Sequence, residues 1–255
     1  MTGPIPANQA TAATPVVDPA HYFIAGTDTG VGKTRVTAGL LAAGKALGLH
    51  VAGMKPVASG GYMHDGRLVS SDALTIAASS GQSTPYEELN PYCLLEPVSP
   101  HIAAYRANIR PDIGTISAIS RRIGSGQDLL LIEGAGGWYA PINESETMAD
   151  LALALGAPVI LVVGLKLGCL NHARLSLEAI RRSGIEFAGW IANGIDAEFA
   201  APAENLATLE RIFGGIALAI LPYSIDARRD MIPLQAVAKH LIAHRGQRAA
   251  DLNRP

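Results

Sequence analysis

Two lysines, a threonine and two carboxylates stand along this chain where chemistry on a phosphoanhydride needs them. Lys33 and Thr34 close the stretch Ala25-Gly-Thr-Asp-Thr-Gly-Val-Gly-Lys-Thr34, Lys55 precedes a proline, Asp72 follows two serines, and Glu133 ends the apolar run Asp128-Leu-Leu-Leu-Ile132. In a glycine-rich turn that opens a helix, backbone N–H groups converge on one concavity, and the positive end of the helix favours an anion there. Gly30 and Gly32 let the backbone approach phosphates with no Cβ in the way. Lys33 has the reach of β- and γ-phosphates, and the Thr34 hydroxyl is a magnesium ligand. An acidic residue directly after a buried strand, as at Glu133, is a usual second metal anchor in nucleotide hydrolases. Asp72 suits the same ion, although Ser-Ser-Asp before a helix is also ordinary capping chemistry. Lys55 is placed to neutralise charge on a transferring phosphoryl group, or else is a solvated lysine. One detail departs from the general phosphate-loop pattern, which asks for glycine at position 27. Thr27 stands there, with Gly26 one residue early.

These side chains need a scaffold. Tyr22-Phe-Ile-Ala25 reads as a strand before the loop, and Arg35–Leu47 as the helix after it. A second strand over His50–Met54 brings Lys55 and Ser59 to a strand's C-terminal edge, where open parallel sheets bind ligands. Further buried strands are expected at Asp128–Ile132, Pro158–Val163, Phe187–Ala192 and Ile216–Leu221, and helices at Ala73–Ala78, Ile113–Ile123, from Asn171 to about Arg182, and Asn205–Phe213. Between them, Gly81–Pro111 carries five prolines and reads as a long irregular connection. The alternation argues for a single α/β domain: a doubly wound, mainly parallel sheet with helices on both faces.

The 255 residues suffice for one sizeable domain rather than two. With 49% hydrophobic but only 5% aromatic residues, the core must be mostly Ala, Val, Ile and Leu, as suits parallel strands covered on both faces. A net charge of −2 gives no electrostatic footprint for nucleic acid, so a small ligand is expected. Cys93 and Cys169 are far apart and outside any C-x-x-C spacing, which leaves a zinc site unsupported and a cytoplasmic, reducing compartment as the simplest setting. Residues Met1–Pro19 contain neither Lys nor Arg and resemble no targeting signal; the apolar stretch Leu151–Leu165 is broken by Gly156, Pro158 and Gly164 and is too short to span a bilayer. A basic segment follows Asp226, with Leu234, Val237, Ala238, Leu241 and Ile242 at helical spacing. That stripe suits docking on its own domain, or less readily a membrane surface. The last residues, from about Arg245, are expected to be disordered.

Taken in order, Gly26–Thr34, Lys55-Pro-Val-Ala-Ser-Gly60, Ser71-Asp72-Ala73, Ser99-Pro-His101, Glu133-Gly-Ala-Gly-Gly-Trp138 and Val162–His172 resemble one family, dethiobiotin synthetase, over roughly Tyr22 to Tyr223. The resemblance places the fold among the P-loop NTPases, and the family's loop has the form found here. It implies an ATP-dependent cyclo-ligase that closes the ureido ring of dethiobiotin from 7,8-diaminopelargonate and CO₂ or bicarbonate, with ATP as co-substrate and Mg²⁺ as cofactor. It further implies Lys33 and Lys55 as catalytic residues, and Thr34, Asp72 and Glu133 as the metal ligands. The ATP site then comprises Gly30, Val31, Gly32, Lys33, Thr34, Arg35, Asp72, Glu133, Gly134, Ala135 and Gly136, with Asn193, Gly194, Pro222 and Tyr223 near the adenine. Ser59 is implied to bind the diamine or its carbamate. Gly168, Cys169, Leu170 and Asn171 would present helix N-terminal N–H groups to the substrate carboxylate across a homodimer interface. The domain division expected is a disordered leader over 1–20, the ligase domain over 21–225, and a C-terminal helix and tail over 226–255, with neither membrane nor nucleic acid as a partner. Gly194 departs from the family, where an acidic or polar residue is common.

Two other readings share the loop style. Amidoligases of the cobyrinate type usually add a glutaminase domain with a nucleophilic cysteine, for which no room is expected after Pro222. Switch ATPases of the partitioning or septum-site kind carry an extra loop lysine where this chain has Asp28, and the stripe at Leu234–Ile242 is the feature that favours them.

Overall fold

A computed structural model describes residues 20–224 and 227–252; the leader expected over 1–20 lies outside these residues except for Ala20, as do Asp226 and residues 253–255. The chain runs β1 (Ala20–Gly26), α1 (Lys33–Ala46), β2 (Val51–Met54), β3 (Val57–Ser59), β4 (Tyr62–His64), β5 (Arg67–Val69), α2 (Ser71–Ser80), α3 (Tyr86–Leu89), β6 (Tyr92–Leu94) and α4 (Pro100–Arg106). It continues through α5 (Ile113–Gly124), β7 (Leu129–Glu133), α6 (Met148–Leu155), β8 (Val159–Leu165), α7 (Cys169–Arg182), β9 (Phe187–Gly194), α8 (Pro202–Phe213), β10 (Ala219–Leu221), a 3₁₀ turn over Ala227–Asp230 and α9 (Met231–Leu252).

Six strands form one parallel sheet in the order β10-β9-β8-β1-β7-β2. Each of its central strands is apolar on both faces because each face has its own helices to meet. Tyr22, Ile24, Leu129, Leu131, Ile160 and Val162 join the side covered by α1, α2 and α9. Their neighbours Phe23, Ala25, Leu130, Ile132, Leu161 and Val163 join the side covered by α5, α6, α7 and α8. This is the period-two alternation of a strand, masked in sequence because both faces are buried. From β1 the chain first winds to β2 and back through β7, then crosses to β8 on the other flank. The winding therefore reverses at β1, and the crevice at its C-terminal end is where such a sheet takes a ligand.

The connection Gly81–Pro111 is more ordered than the prolines suggest. It holds α3, β6 and α4, with β6 paired in parallel with β3. The prolines mark the starts of elements: Pro85 is the N-cap of α3, and Pro100 lies in the first turn of α4. There the missing N–H has no helical partner to lose. The polar stretch after Gly61 is likewise a hairpin, β4 with β5, turning at Asp65 and Gly66, both at positive φ. At the C-terminus α9 continues through Arg245, where disorder was expected, to Leu252; Gln247, Arg248, Ala249 and Ala250 are good helix formers. Leu234, Val237 and Leu241 of α9 are buried in the α1 side of the core, and the Tyr22 hydroxyl donates to Leu241 O at 2.8 Å. Among the described residues no helix is long and apolar enough to cross a membrane.

Candidate active site

At the C-terminal edge of β1, β7 and β2 the structure opens a cleft of about 750 Å³. Gly30, Gly32, Lys33, Thr34, Lys55, Ser59, Asp72, Glu133, Ala135 and Gly136 all line it. Four separate segments meet there because each follows or enters an element at that edge. Lys33 and Thr34 open α1, Lys55 follows β2, Asp72 stands in the first turn of α2, and Glu133 closes β7.

The loop before α1 explains the displaced glycine. Gly26 ends β1 with its Cα against the loop's own lysine: a Cβ there would lie 2.9 Å from Lys33 Nζ and 2.8 Å from Val31 Cγ2. Position 26 therefore admits no side chain, whereas Thr27 bridges onward with its N–H donated to Val162 O. Gly32 caps α1 at φ +90°, and a Cβ there would fall 2.0 Å from Asn193 Nδ2.

Charge in the cleft is concentrated on buried groups. Lys55 is 3% exposed and Glu133 wholly buried. Lys55 Nζ donates to Glu133 Oε1 at 2.6 Å and to Gly134 O at 3.2 Å, and lies 3.0 Å from Asp72 Oδ2. Its backbone is fixed too, since Asn90 Nδ2 donates to Lys55 O and Lys55 N donates to Leu89 O. Burial works against the ammonium, but the two carboxylates outweigh it and hold Lys55 above the usual lysine value. Asp72 responds in the opposite sense: burial raises it, yet the neighbouring Lys55 ammonium brings it below the usual carboxylate value. Lys33 is different. Its ammonium donates to two backbone carbonyls, Asp28 O at 3.0 Å and Gly136 O at 2.7 Å, and burial followed by repulsion from Lys55 lowers its pKa to about 8.

Thr34 Oγ1 donates to Glu133 Oε1 at 2.8 Å, while Glu133 Oε2 is buried without a hydrogen-bond partner. A fully buried carboxylate oxygen left this way demands a ligand. The donors around it, one hydroxyl and two carboxylates, are the hard oxygens that suit Mg²⁺, which keeps its remaining positions for phosphate and water.

Other expected residues lie elsewhere. Arg35 turns away from the cleft: its guanidinium is bidentate to Asp230, at 2.7 and 2.8 Å. Arg35 is followed round the same flank by Asn193, whose amide donates to Val31 O at 2.8 Å and accepts from Arg35 at 2.9 Å, so the side chain expected on the adenine is engaged within the protein. Gly194, Pro222 and Tyr223 gather beside them. Val31 is buried in the core, and Gly134 meets the cleft's chemistry through its carbonyl on Lys55. Gly168 caps α7 and Leu170 and Asn171 lie in its first turn, outside the cleft of the single chain; Cys169 is buried, with its N–H donated to Lys166 O. Beyond the Ser99-Pro-His101 motif counted toward the family resemblance, the sequence assigned no place in the site to Pro97, Val98, Ser99 and Pro100, which line the cleft. Ser99 before Pro100 carries the signal of an N-cap and first helical position, hidden by the supposed irregularity of the surrounding connection.

A family model described as an AAA domain matches residues 20–230. An ATP-dependent dethiobiotin synthetase of Chromohalobacter salexigens is 49% identical over 218 residues, covering 82% of this chain and 92% of its own length. That of Nitrosospira multiformis is 46% identical over 223 residues, covering 86% of this chain and 95% of its own. The chain belongs to the dethiobiotin synthetase family. Its fold is also that of more distant proteins: the MinC:MinD cell division complex of Aquifex aeolicus gives a TM-score of 0.51 at 16% identity, covering 92% of this chain and 97% of that one. A ParA family ATPase of Chlorobium tepidum gives 0.50 at 14% identity, covering 89% and 98%. At that identity the likeness shows a shared P-loop architecture. Membership of the dethiobiotin synthetase family disfavours the switch-ATPase and amidoligase readings.

Proposed function

We propose that the cleft closes the ureido ring of dethiobiotin from 7,8-diaminopelargonate, CO₂ and ATP, with Lys33 and Lys55 as catalytic residues. The observation that carries this is the network in which buried Lys55 and Glu133 meet the partly exposed Asp72 and Thr34, with Lys33 beside it and one Glu133 oxygen unpartnered. One amine of the substrate adds CO₂ to give a carbamate. A carbamate oxygen attacks the γ-phosphorus, the bond to the β-phosphate oxygen breaks, and ADP leaves with that electron pair. The second amine then attacks the carbonyl carbon of the carbamic–phosphoric anhydride, expels inorganic phosphate, loses a proton and closes the ring.

The chain's part is positioning and charge stabilisation. The loop's N–H groups with Gly30 and Gly32 seat the phosphates, Lys33 faces the β- and γ-phosphates, and Lys55 faces the carbamate and the equatorial oxygens of the transferring group. Thr34, Asp72 and Glu133 would hold Mg²⁺, which neutralises phosphate charge when bound. Ser59, at the end of β3, is placed for the diamine or its carbamate. The same reading has the enzyme act in the cytoplasm as a homodimer, with the Gly168–Asn171 turn of one subunit serving the substrate carboxylate of the other. Exposed Leu167, Leu175 and Tyr139 on and beside α7 support such a contact.

Phosphate release from MgATP tests the reaction. It is expected to require both diamine and bicarbonate, to match dethiobiotin formed mole for mole, and to be largely lost in Lys55→Ala. Hydrolysis indifferent to the diamine would overturn the reading.

A further inference from the structure

We propose that the ion pair between the partly exposed Arg35 and the buried Asp230 is a clamp that shapes the nucleoside end of the ATP site, with Asp230 a positioning residue acting through Arg35. This rests on the reading of the glycine-rich loop as the ATP site.

The direction of the nucleotide follows from the order of the sheet. Lys55, Asp72 and Glu133, the groups suited to the transferring phosphate, lie on the β7–β2 flank of β1. A nucleotide seated on the loop with its γ-phosphate there must run toward the opposite flank, to β9 and β10. On that flank the guanidinium of Arg35, the third residue of α1, joins three segments that are distant in sequence. It donates from Nε and Nη2 to the two oxygens of Asp230, from Nη1 to Asn193 Oδ1 at 2.9 Å, and from Nη2 to Pro222 O at 3.0 Å. Asp230 is 2% exposed, so its charge is removed from water and matched by this one cation's fork.

The clamp sets how closely the segments approach. A Cβ on Gly194 would lie 2.4 Å from Tyr223 N and 2.9 Å from Pro222 C, both backbone atoms that cannot swing aside. The end of β9 and the Pro222-Tyr223 backbone are thus in direct contact, with Arg35 bonded to both. Asn193, held between Arg35 Nη1 and Val31 O, ties this contact to the phosphate loop itself. Among the described residues, Asn193, Gly194, Pro222 and Asp230 are thus joined through one guanidinium. At that approach position 194 leaves no room for a Cβ.

The test separates base from phosphate. Binding of MgATP and of magnesium tripolyphosphate, which carries the phosphates without the nucleoside, is measured by calorimetry for the wild type, Asp230→Asn, and the double variant Arg35→Met with Asp230→Leu. The double variant replaces the ion pair, whose carboxylate is buried, by apolar groups of similar volume, a change that folds commonly tolerate. Both variants are expected to bind ATP about 10-fold more weakly, the usual order for losing a residue that orients a ligand contact, with tripolyphosphate changed less than about two-fold. In turnover, KM for ATP rises by the same factor and kcat at saturating ATP holds. Equal weakening of ATP and tripolyphosphate would place Arg35 on the phosphates and overturn the clamp. ATP binding unchanged in a folded double variant would show the pair to be structural alone, and overturn it too. Because binding is read without diamine, the clamp is decided even where the ring-closing reaction itself fails to appear.

Discussion

With its pKa lowered to about 8 by burial and by the neighbouring Lys55 charge, Lys33 is a cation in want of an anion. Bound phosphates supply one and return the pKa toward its ordinary value, so ATP binding takes up a proton wherever the free enzyme has lost it. Calorimetry in two buffers of different ionisation enthalpy is expected to show uptake approaching about one proton near pH 9 and almost none at pH 7. The sign for stability is equally definite. The folded pKa lies below the unfolded one, so Lys33 weakens the fold fully below pH of about 8, and the penalty is relieved as pH rises toward the unfolded value. Lys33→Met is therefore expected to melt higher than the wild type at pH 7, with the gap narrowing by pH 10. Lys55 behaves otherwise, because its two carboxylates more than repay its burial. Lys55→Met leaves Glu133 as a lone buried charge, a loss of about 3–5 kcal/mol in urea unfolding. Adding Glu133→Leu is expected to restore much of that stability while activity stays absent, which separates the pair's chemistry from its place in the fold.

Among the elements, α6 shows how local signals place a helix that hydropathy obscures. Thr147 and Asp150 form a reciprocal capping box, with the Asp150 carboxylate accepting from Thr147 N at 2.7 Å. A run of apolar residues from Leu151 reads in sequence as continuous with the following strand, and the box at its start and Gly156 at φ +60° are what divide helix from strand. Thr147→Ala is expected to lower unfolding stability by about 1 kcal/mol with unchanged KM for ATP, measured by urea titration beside the turnover assay. The same reasoning applies to α3, β6 and α4, where prolines begin elements rather than end them. Their effect is functional: α4 and the turn before it supply the Pro97–Pro100 wall of the cleft.

For the molecule as a whole, the cleft of a single chain is lined by Lys33, Thr34, Lys55, Asp72 and Glu133 but not by the Gly168–Asn171 turn. Leu167 is 94% exposed and Leu175 59%, both toward the N-terminal part of α7. Apolar side chains so exposed on one helix and in the turn before it suit an isologous contact between two copies. Sedimentation is expected to find a homodimer in the wild type and a monomer in Leu175→Glu. If the turn serves the partner's site, the monomer should keep its affinity for ATP and lose affinity for the diamine. A monomeric wild type with full activity would remove the turn from the substrate site.

The sequence alone determined the glycine-rich loop, the strand–helix alternation and the candidate groups Thr34, Asp72 and Glu133 that the fold brings into one cleft, because each is a local pattern: glycines beside a lysine, apolar runs, an acid at a strand's end. It also carried enough ordered motifs to place the chain in its family. Only the tertiary structure decided what Arg35, Asn193 and Gly194 do. Their partners lie up to 195 residues away in the chain, and no local spacing encodes that Arg35 meets Asp230. The same holds for Gly26, whose need for glycine comes from the return of Lys33 across it. A loop's type is written in its neighbours along the chain, whereas burial, pKa and the direction of a side chain depend on whatever the folded sheet brings against it.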